Sequence, residues 1–356
     1  MKRAAKGILL GVAITVGTLC LLEGCASALL FVRDYRSASA PKDLIRPHTT
    51  HDSLLGWVNR PSFASPNEYG KGIGLTTTAL GFRGNGTADS VPGRAGEGVV
   101  CSGDSYTLGY GVSDEHTWCA MLESALPKLR TYNMGQSDYG LDQSALWYER
   151  DGHRVPHTMQ LLGITNAQLE RMTTSSNAGR FKPMLSLERG GVVVHDVPVP
   201  EQTTNALRDA SRDRAKYHLR SVQAFTQLTG VDGRVSAAKR VDEQWPLVEK
   251  VLDDLAAANA AHGSRLVVAY LPVKRDLRPR SPEDRRRKLA SYARRRGITF
   301  IDLTQPMRAM RPDSLDLSFI SRVPRGAAPG VTDQYSNLGN AWIARALAAR
   351  LSTESP

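Results

Sequence analysis

A short apolar run in the first third of the chain ends abruptly in three residues that suit nucleophilic chemistry. Residues 99–112 read VVCSGDSYTLGYGV, so Ser105 directly follows Gly103 and Asp104. A serine hydroxyl attacks a carbonyl when a base takes its proton and when nearby donors stabilise the oxyanion that forms. We therefore predict Ser105 as a nucleophile, with Asp104 supporting the turn that carries it.

Two later segments offer oxyanion donors. They are NMGQSDYGLDQ at residues 133–143 and GITNAQLER at residues 163–171. Each follows a predicted strand, so Ser105, Gly135 and Asn166 fall at the ends of three successive strands. The backbone N–H groups of Ser105 and Gly135 and the side-chain amide of Asn166 are the predicted oxyanion donors.

The elements that must position these residues alternate between strands and helices. The apolar strands VVCSG, LRTYNMG, HTMQLLGIT, RLVVAYLPV and ITFIDL are separated by segments with helical spacing of apolar residues. This alternation predicts a parallel sheet with right-handed crossovers, at whose carboxyl edge ligands bind. The expected fold is α/β, a three-layer α/β/α sandwich with a five-stranded parallel sheet and an inserted subdomain.

Composition divides the chain further. Residues 37–95 are rich in Gly, Pro, Ser and Thr and predict an irregular lead-in packed on a main domain at 96–352. Residues 170–244 have no sheet core of their own and are interpreted as an insertion. This insertion includes KPMLSLERGGVVVHDVPVP, which predicts a hairpin turning at Gly190-Gly191.

The first 36 residues form a signal anchor in this interpretation. Lys2, Arg3 and Lys6 precede an apolar stretch at 7–32, which is typical of a signal peptide or a single transmembrane helix. Basic residues before the span keep the N-terminus in the cytoplasm. We therefore expect an uncleaved anchor in the cytoplasmic membrane, with the main domain on the periplasmic or other extracytoplasmic side.

Two cysteines, Cys101 and Cys119, lie in the exported part. An oxidising compartment permits a disulfide between them, and two buried thiols acting as small hydrophobic side chains are the alternative.

The net charge of +11 is concentrated in one region. Residues 274–296 hold eleven Lys and Arg against three Asp and Glu, so the rest of the chain is close to neutral and nucleic-acid binding is not indicated. The basic helix within this region has two interpretations, a solvated surface or a contact with anionic lipid or acidic polysaccharide. Its arginines are Arg285, Arg286, Arg287, Arg294, Arg295 and Arg296.

Other chemistry is not indicated. No His, Cys, Asp and Glu grouping has metal-ligand spacing, and the glycine-rich run after Ser105 lacks the lysine of a phosphate loop, so we expect no metal or other cofactor. His153 and His157 flank the start of the third strand, the end opposite the predicted site, and are interpreted as surface residues.

Three blocks together resemble the SGNH, or GDSL-type, hydrolase superfamily of esterases and acyltransferases. They are GDSYTLGYGV, NMGQSDYG and ITNAQLER. Flanking segments such as DSLLGWVNRP and KPMLSLERGGVVVHDVPVP resemble a membrane-anchored, exported branch associated with surface polysaccharides, over residues 52–351. The resemblance implies a Ser105 acyl-enzyme acting on ester groups, O-acetyl above all, of cell-envelope carbohydrate.

The family's last block carries Asp-x-x-His, and its histidine is the general base. Here the matching stretch is GVTDQYSNLGNAWIARAL, in which Val331 takes the aspartate position and Gln334 the histidine position. Glutamine has no titratable nitrogen and cannot take the Ser105 proton. No histidine follows His262.

Three hypotheses follow from the missing histidine. Asp333, after a local shift of its loop, or His116, approaching from the first crossover, acts as the base. Alternatively, Asp333 and Gln334 position a water molecule or the substrate. In the third hypothesis the protein is catalytically impaired and binds an acylated polysaccharide or assists its assembly.

Overall fold

The predicted sheet is present and consists of five parallel strands. The computed structural model describes residues 2–39, 46–84, 96–177, 180–201, 221, 239–279, 283–321 and 330–353. The strands of the whole described chain, of which the sheet uses five, are listed here in chain order. They are β1 Thr49–Asp52, β2 Gly56–Asn59, β3 Ala64–Ser65, β4 Leu75–Thr76, β5 Glu97–Gly103, β6 Leu129–Gly135, β7 Met159–Ile164, β8 Ser176–Asn177, β9 Arg180–Phe181, β10 Met184–Glu188, β11 Gly191–His195, β12 Arg265–Tyr270 and β13 Thr299–Asp302.

The helices separate these strands as the alternation predicts. They are α1 Lys2–Ser39, α2 Ser105–Leu108, α3 Trp118–Ala125, α4 Leu141–Asp151, α5 Asn166–Arg171, α6 Trp245–Ala261, α7 Asp284–Arg296, α8 Thr304–Arg308, α9 Pro312–Leu317 and α10 Asn337–Ser352. Short 3-10 turns cover Asp114–His116 and Gly152–Arg154.

The chain divides into two compact units, residues 1–44 with 202–242 and residues 45–201 with 243–356. In the first unit, α1 is continuous, and by length and composition Lys6–Leu30 is the one stretch among the described helices that could cross a membrane. Residues 202–220 and 222–238, within the predicted insertion, lie outside the described residues.

The second unit holds the sheet, which has the strand order β13-β12-β7-β5-β6, all parallel. When these five strands are numbered by their order in the chain and read from β6, the order is 2-1-3-4-5. This is the flavodoxin-like doubly wound order, and it confirms the predicted fold class. Helices α3 and α10 cover one face of the sheet, and α4 and α6 cover the other.

Two kinds of contact hold these layers together. Cys101 in β5 and Cys119 in α3 are both buried and joined by a disulfide, with their Cα atoms 6.3 Å apart. On the other face, buried Asn259 of α6 donates a 2.7 Å hydrogen bond to Gln160 Oε1 in β7. The disulfide is the first of the two alternatives for the cysteines.

The lead-in packs on the loop that follows β6. The Arg83 N–H donates to the Asn133 carbonyl at 2.9 Å, and the Trp57 indole donates to the Ser137 carbonyl at 3.0 Å. Arg83 is also buried against Asp114, 2.9 Å from its carboxylate. Residues 46–84 therefore form one wall beside the carboxyl edge of the sheet.

The predicted hairpin is formed by β10 and β11, with Glu188 opposite Gly191. Its turn lies one residue earlier than predicted, at Arg189-Gly190. Both of these residues have positive φ, 50° and 82°, which is the requirement of a tight two-residue hairpin turn.

Candidate active site

Ser105 is the first residue of α2 and directly follows the end of β5. The last residue of β5, Gly103, lies opposite Gly135 of β6 on one side and Gly163 of β7 on the other. The winding of the sheet reverses between β5 and β7, and ligands of doubly wound sheets bind at the carboxyl ends beside this switch point. The fold therefore places Ser105 where such a protein binds its ligand.

Three glycines let α2 lie directly on the sheet. A Cβ on Gly135 would stand 2.1 Å from the Leu108 backbone nitrogen, and one on Gly163 would stand 2.7 Å from Thr107 Oγ1. Gly103 has a φ of +150°, which favours glycine, and its Cβ would also meet Thr107. Any side chain at these positions would lift α2 and displace Ser105.

Asp104 holds the turn that presents Ser105. Its Oδ1 caps α2 by accepting from the Tyr106 N–H at 3.0 Å, and its Oδ2 accepts from Thr165 Oγ1 and Arg171 Nη1, each at 3.0 Å. Burial raises the pKa of the Asp104 carboxyl, and the neighbouring Arg171 opposes this shift. Asp104 therefore caps the helix that begins at Ser105, and its support of a nucleophile stays a prediction.

The Ser105 hydroxyl and backbone N–H make no hydrogen bond to any residue that the structure describes, although Ser105 is only 6% exposed. A buried polar group without a partner is costly unless a ligand or water satisfies it. Both groups are therefore available to a substrate, and no base is engaged with the hydroxyl.

The other two predicted oxyanion donors are already engaged. The Gly135 N–H donates to Asn133 Oδ1 at 2.9 Å, so it can serve an oxyanion only if Asn133 releases it. Asn166 Nδ2 donates to Glu170 Oε1 at 3.1 Å, and Asn166 Oδ1 accepts from Arg285 at 2.5 Å. An amide nitrogen carries two hydrogens, so Asn166 keeps one for a ligand.

Asp138, in the loop after β6, is a residue that the sequence did not single out. Asp138 adopts a left-handed conformation with φ of +66°, and its N–H has no partner among the described residues. Its carboxylate is held by Arg180 at 2.7 Å and approached by Arg46 at 3.5 Å. Nothing in the sequence pattern distinguishes Asp138 from other turn residues. Its left-handed backbone conformation does.

The segment at residues 330–347, which matches the family's last block, is joined to α2 through its backbone. Asp333 has φ of +64°, and its carbonyl accepts from the Tyr106 hydroxyl at 3.0 Å. Its carboxylate lies 3.1 Å from Lys274 Nζ. Neither Asp333 nor Gln334 hydrogen-bonds to Ser105, and Gln334 Oε1 is buried with no partner among the described residues. Val331, at the family's aspartate position, is buried in an apolar cluster.

The predicted alternative base, His116, points to a different neighbour. Its Nδ1 lies 3.2 Å from Glu115 Oε1, its side chain is 37% exposed, and none of its hydrogen bonds within the described chain involves Ser105.

A second histidine, which the sequence did not single out, pairs with an acid inside the protein. His48 Nδ1 lies 2.8 Å from Glu68 Oε1, and burial lowers the pKa of His48.

Four of the six arginines of the predicted basic patch are exposed, and Arg285 and Arg286 are not. Arg286 is 5% exposed and contacts Asp302 at 3.1 Å, and Arg285 lies 3.0 Å from Glu170 beside Asn166. Arg287, Arg295 and Arg296 each contact a carboxylate of the chain. Arg294 alone of the six has no ion pair in the described part of the chain. Most of this charge is neutralised internally.

No protein-family model matches the chain, and no curated protein matches it. Solved structures resemble it at low identity. A member of the lipolytic G-D-S-L family from Veillonella parvula has a TM-score of 0.41 and 11% identity, with 73% of this chain and 100% of that chain covered.

Two further structures have similar values. A lipase/acylhydrolase from Enterococcus faecalis has a TM-score of 0.38 and 11% identity, covering 72% of this chain and 96% of its own. An acetyl xylan esterase has a TM-score of 0.40 and 12% identity, covering 71% and 99%. An inference about activity must therefore come from the residues of this chain.

Proposed function

We propose that the protein is a serine esterase or O-acyltransferase that works through an acyl-enzyme on Ser105. The observation that carries this proposal is the presentation of Ser105 at the switch point of the sheet, with its hydroxyl and N–H unpaired within the described chain. A serine with a purely structural role in such a buried turn would use its hydroxyl to satisfy a neighbour.

In the proposed reaction, Ser105 Oγ attacks the ester carbonyl and loses its proton to a base. The Ser105 N–H and the free hydrogen of the Asn166 amide are the proposed donors to the oxyanion, and the Gly135 N–H joins them when Asn133 releases it. Collapse of the tetrahedral intermediate breaks the ester C–O bond, and the departing alkoxide takes up the proton. Attack by water or by a sugar hydroxyl on the acyl-enzyme then releases Ser105.

Asp333 is the proposed base, because its backbone carbonyl is tied to Tyr106, the residue after Ser105. A lone carboxylate is a weak base for a serine, since the ordinary pKa of Asp is about 3.9. We therefore expect slow turnover compared with an enzyme that has a histidine base.

The proposed substrates are small O-acyl groups, acetyl above all, on cell-envelope carbohydrate. The apolar helix Lys6–Leu30 supports a location at the cytoplasmic membrane, and the basic residues Lys2 and Arg3 before it support an extracytoplasmic second unit. The sequence resemblance to an exported branch associated with surface polysaccharides supports the carbohydrate.

A second candidate function is binding of an acylated polysaccharide, or help in its assembly, without catalysis. The observation that favours it is Gln334 at the histidine position, with its buried Oε1 unpaired among the described residues. Loss of a triad base removes several powers of ten in rate but leaves binding intact.

Hydrolysis of p-nitrophenyl acetate by the full chain in detergent separates the two functions. We expect slow turnover that Ser105→Ala abolishes and Asp333→Asn reduces. Ser124→Ala, an exposed serine on α3, is the matched control and keeps the parent rate. A parent rate equal to that of Ser105→Ala would refute the esterase proposal and leave the binding function.

A further inference from the structure

A second cavity lies at the amino ends of the central strands, opposite the edge that carries Ser105. It has a volume of about 420 Å³ and is lined by Gly98 at the start of β5, Arg130 at the start of β6 and Thr158 just before β7. Binding sites for small molecules typically measure about 300–1,000 Å³. The cavity is therefore large enough for a molecule bigger than an inorganic ion.

Its polar lining is basic. One guanidinium, that of Arg130, and three imidazoles, those of His153, His157 and His262, line the cavity. Among the described residues that line it, none is an acid. This composition differs from the surface of α7, where nearly every arginine has a carboxylate partner.

Two of the imidazoles are stacked on each other, and the third is held by other residues. The rings of His153 and His262 are stacked, with centroids 5.6 Å apart and planes 19° from parallel. His157 is fixed by Tyr148, 2.7 Å from its Nε2, and by the Val155 carbonyl, 2.9 Å from its Nδ1. Both ring nitrogens of His157 are thus occupied, so His157 forms a wall, while His153 and His262 remain exposed to a ligand.

Arg130 supplies the strongest single indication of a ligand. Its Nη1 is buried and has no hydrogen-bond partner among the described residues. A guanidinium nitrogen shielded from water without an acceptor is unfavourable, and an oxyanion in the cavity would satisfy it through the paired donor geometry that arginine offers.

We propose that this cavity binds an organic oxyanion, a sugar that carries a carboxylate or a phosphate group. Arg130 and the exposed imidazoles of His153 and His262 hold the anionic group, and the remaining volume accepts the sugar ring beside Tyr132. The site is separate from Ser105 and does not depend on ester chemistry.

Isothermal titration calorimetry of the full chain in detergent tests the site. The probes are glucuronate, glucose 6-phosphate, inorganic phosphate and uncharged glucose. We expect one or both sugar anions to bind and glucose not to bind. Arg130→Gln should weaken binding at least about tenfold, the usual effect of losing a charge-assisted hydrogen bond.

A second variant guards against a folding defect at Arg130. His153 and His262 are exposed, so the double variant His153→Ala/His262→Ala should fold normally and bind at least about tenfold more weakly. Arg154→Ala is the matched control, because Arg154 adjoins His153 but contacts Asp151 and does not line the cavity. Its affinity should equal that of the parent.

Tighter binding of glucuronate assigns a carboxylate ligand, and tighter binding of glucose 6-phosphate assigns a phosphate ligand. The proposal is overturned if neither sugar anion binds, if inorganic phosphate binds more tightly than both, or if Arg130→Gln and the double histidine variant bind like the parent.

Discussion

Arg171 Nη1 lies 3.0 Å from Asp104 Oδ2 and so joins the end of α5 to the residue that caps the nucleophile helix. The Asp104 side chain is fully buried, whereas that of Arg171 is 20% exposed. One ion pair therefore connects the loops after β5 and β7, the two strands that flank the switch point. The position of Ser105 depends on this link.

Removal of Arg171 should destabilise the second unit strongly. Arg171→Ala leaves a buried carboxylate without its cation, which costs about 3–5 kcal/mol of unfolding free energy. The control Arg154→Ala breaks an ion pair of which Arg154 is half exposed, and should cost less than about 1 kcal/mol. Chemical denaturation of both variants measures the difference, and equal stabilities would show that Asp104 does not need Arg171.

Gly135 should tolerate no side chain. Gly135→Ala places a methyl group 2.1 Å from the Leu108 backbone nitrogen. Because this atom belongs to the backbone of α2, the helix has to move. We expect a loss of at least about 1–3 kcal/mol, the usual cost of overpacking. Gly191→Ala is the matched control, since its nearest atom is 3.8 Å away. Thermal denaturation compares the two, and equal midpoints would mean that α2 does not rest on Gly135.

The disulfide should protect two of the four cysteines from alkylation. Iodoacetamide should label Cys20 and Cys25, the free cysteines, and spare Cys101 and Cys119 until a reductant is added. Mass spectrometry of the peptides reads the pattern. Labelling of Cys101 in the unreduced, denatured protein would show two thiols instead.

Loss of the same bond should lower stability. The bond closes a loop with a sequence separation of 18 residues, and loops of about this length contribute roughly 3 kcal/mol. The double variant Cys101→Ala/Cys119→Ala should lose about this amount in chemical denaturation. The difference in unfolding free energy between the parent and this variant should be present without reductant and should vanish when both proteins are reduced.

His48 should make the second unit sensitive to acid. Burial holds the pKa of His48 below its ordinary value of about 6.5, so on acidification the unfolded chain takes up the proton first. The stability contributed by neutral His48 is therefore present above about pH 6.5 and is lost as the pH falls towards the folded pKa. The slope reaches at most about 1.4 kcal/mol per pH unit.

His48→Gln tests this assignment, because glutamine can still donate to Glu68 but does not titrate. Denaturation midpoints measured between about pH 8 and pH 5 should fall less steeply in the variant than in the parent. Superimposable pH profiles would mean that His48 does not govern the acid response.

The sheet could be predicted because its strands are nearly continuous apolar runs separated by helices of regular spacing. The places of Ser105, Gly135 and Asn166 follow from the same pattern, since Gly135 ends β6 while Ser105 and Asn166 begin the helices that follow β5 and β7. What these residues contact could not be predicted. The bond from the Gly135 N–H to Asn133 depends on the turn after β6, and that from Arg285 to Asn166 joins residues 119 positions apart.

The remaining differences have similar causes. Asp138 resembles an ordinary turn residue in the sequence, and only its backbone conformation reveals an N–H without a partner in the described chain. The basic run at residues 285–296 suggests a charged surface, but helical periodicity distributes it over several faces, and Arg286 is buried against Asp302. Sequence position indicates which residues are charged but not where their partners lie.

The central claim is that Ser105 is an assembled nucleophile limited by the lack of a histidine base at position 334. Stopped-flow measurement of the first turnover with p-nitrophenyl acetate, with intact-mass detection of the acetyl-enzyme, tests it directly in the parent and in Gln334→His. A general base contributes roughly 10²–10⁴ in rate. Because Val331 cannot orient the new histidine, we expect an increase of at least about tenfold, in an adduct located on Ser105 and absent from Ser105→Ala/Gln334→His. Equal acylation rates in the parent and Gln334→His, or an adduct that survives the loss of Ser105, would contradict the claim.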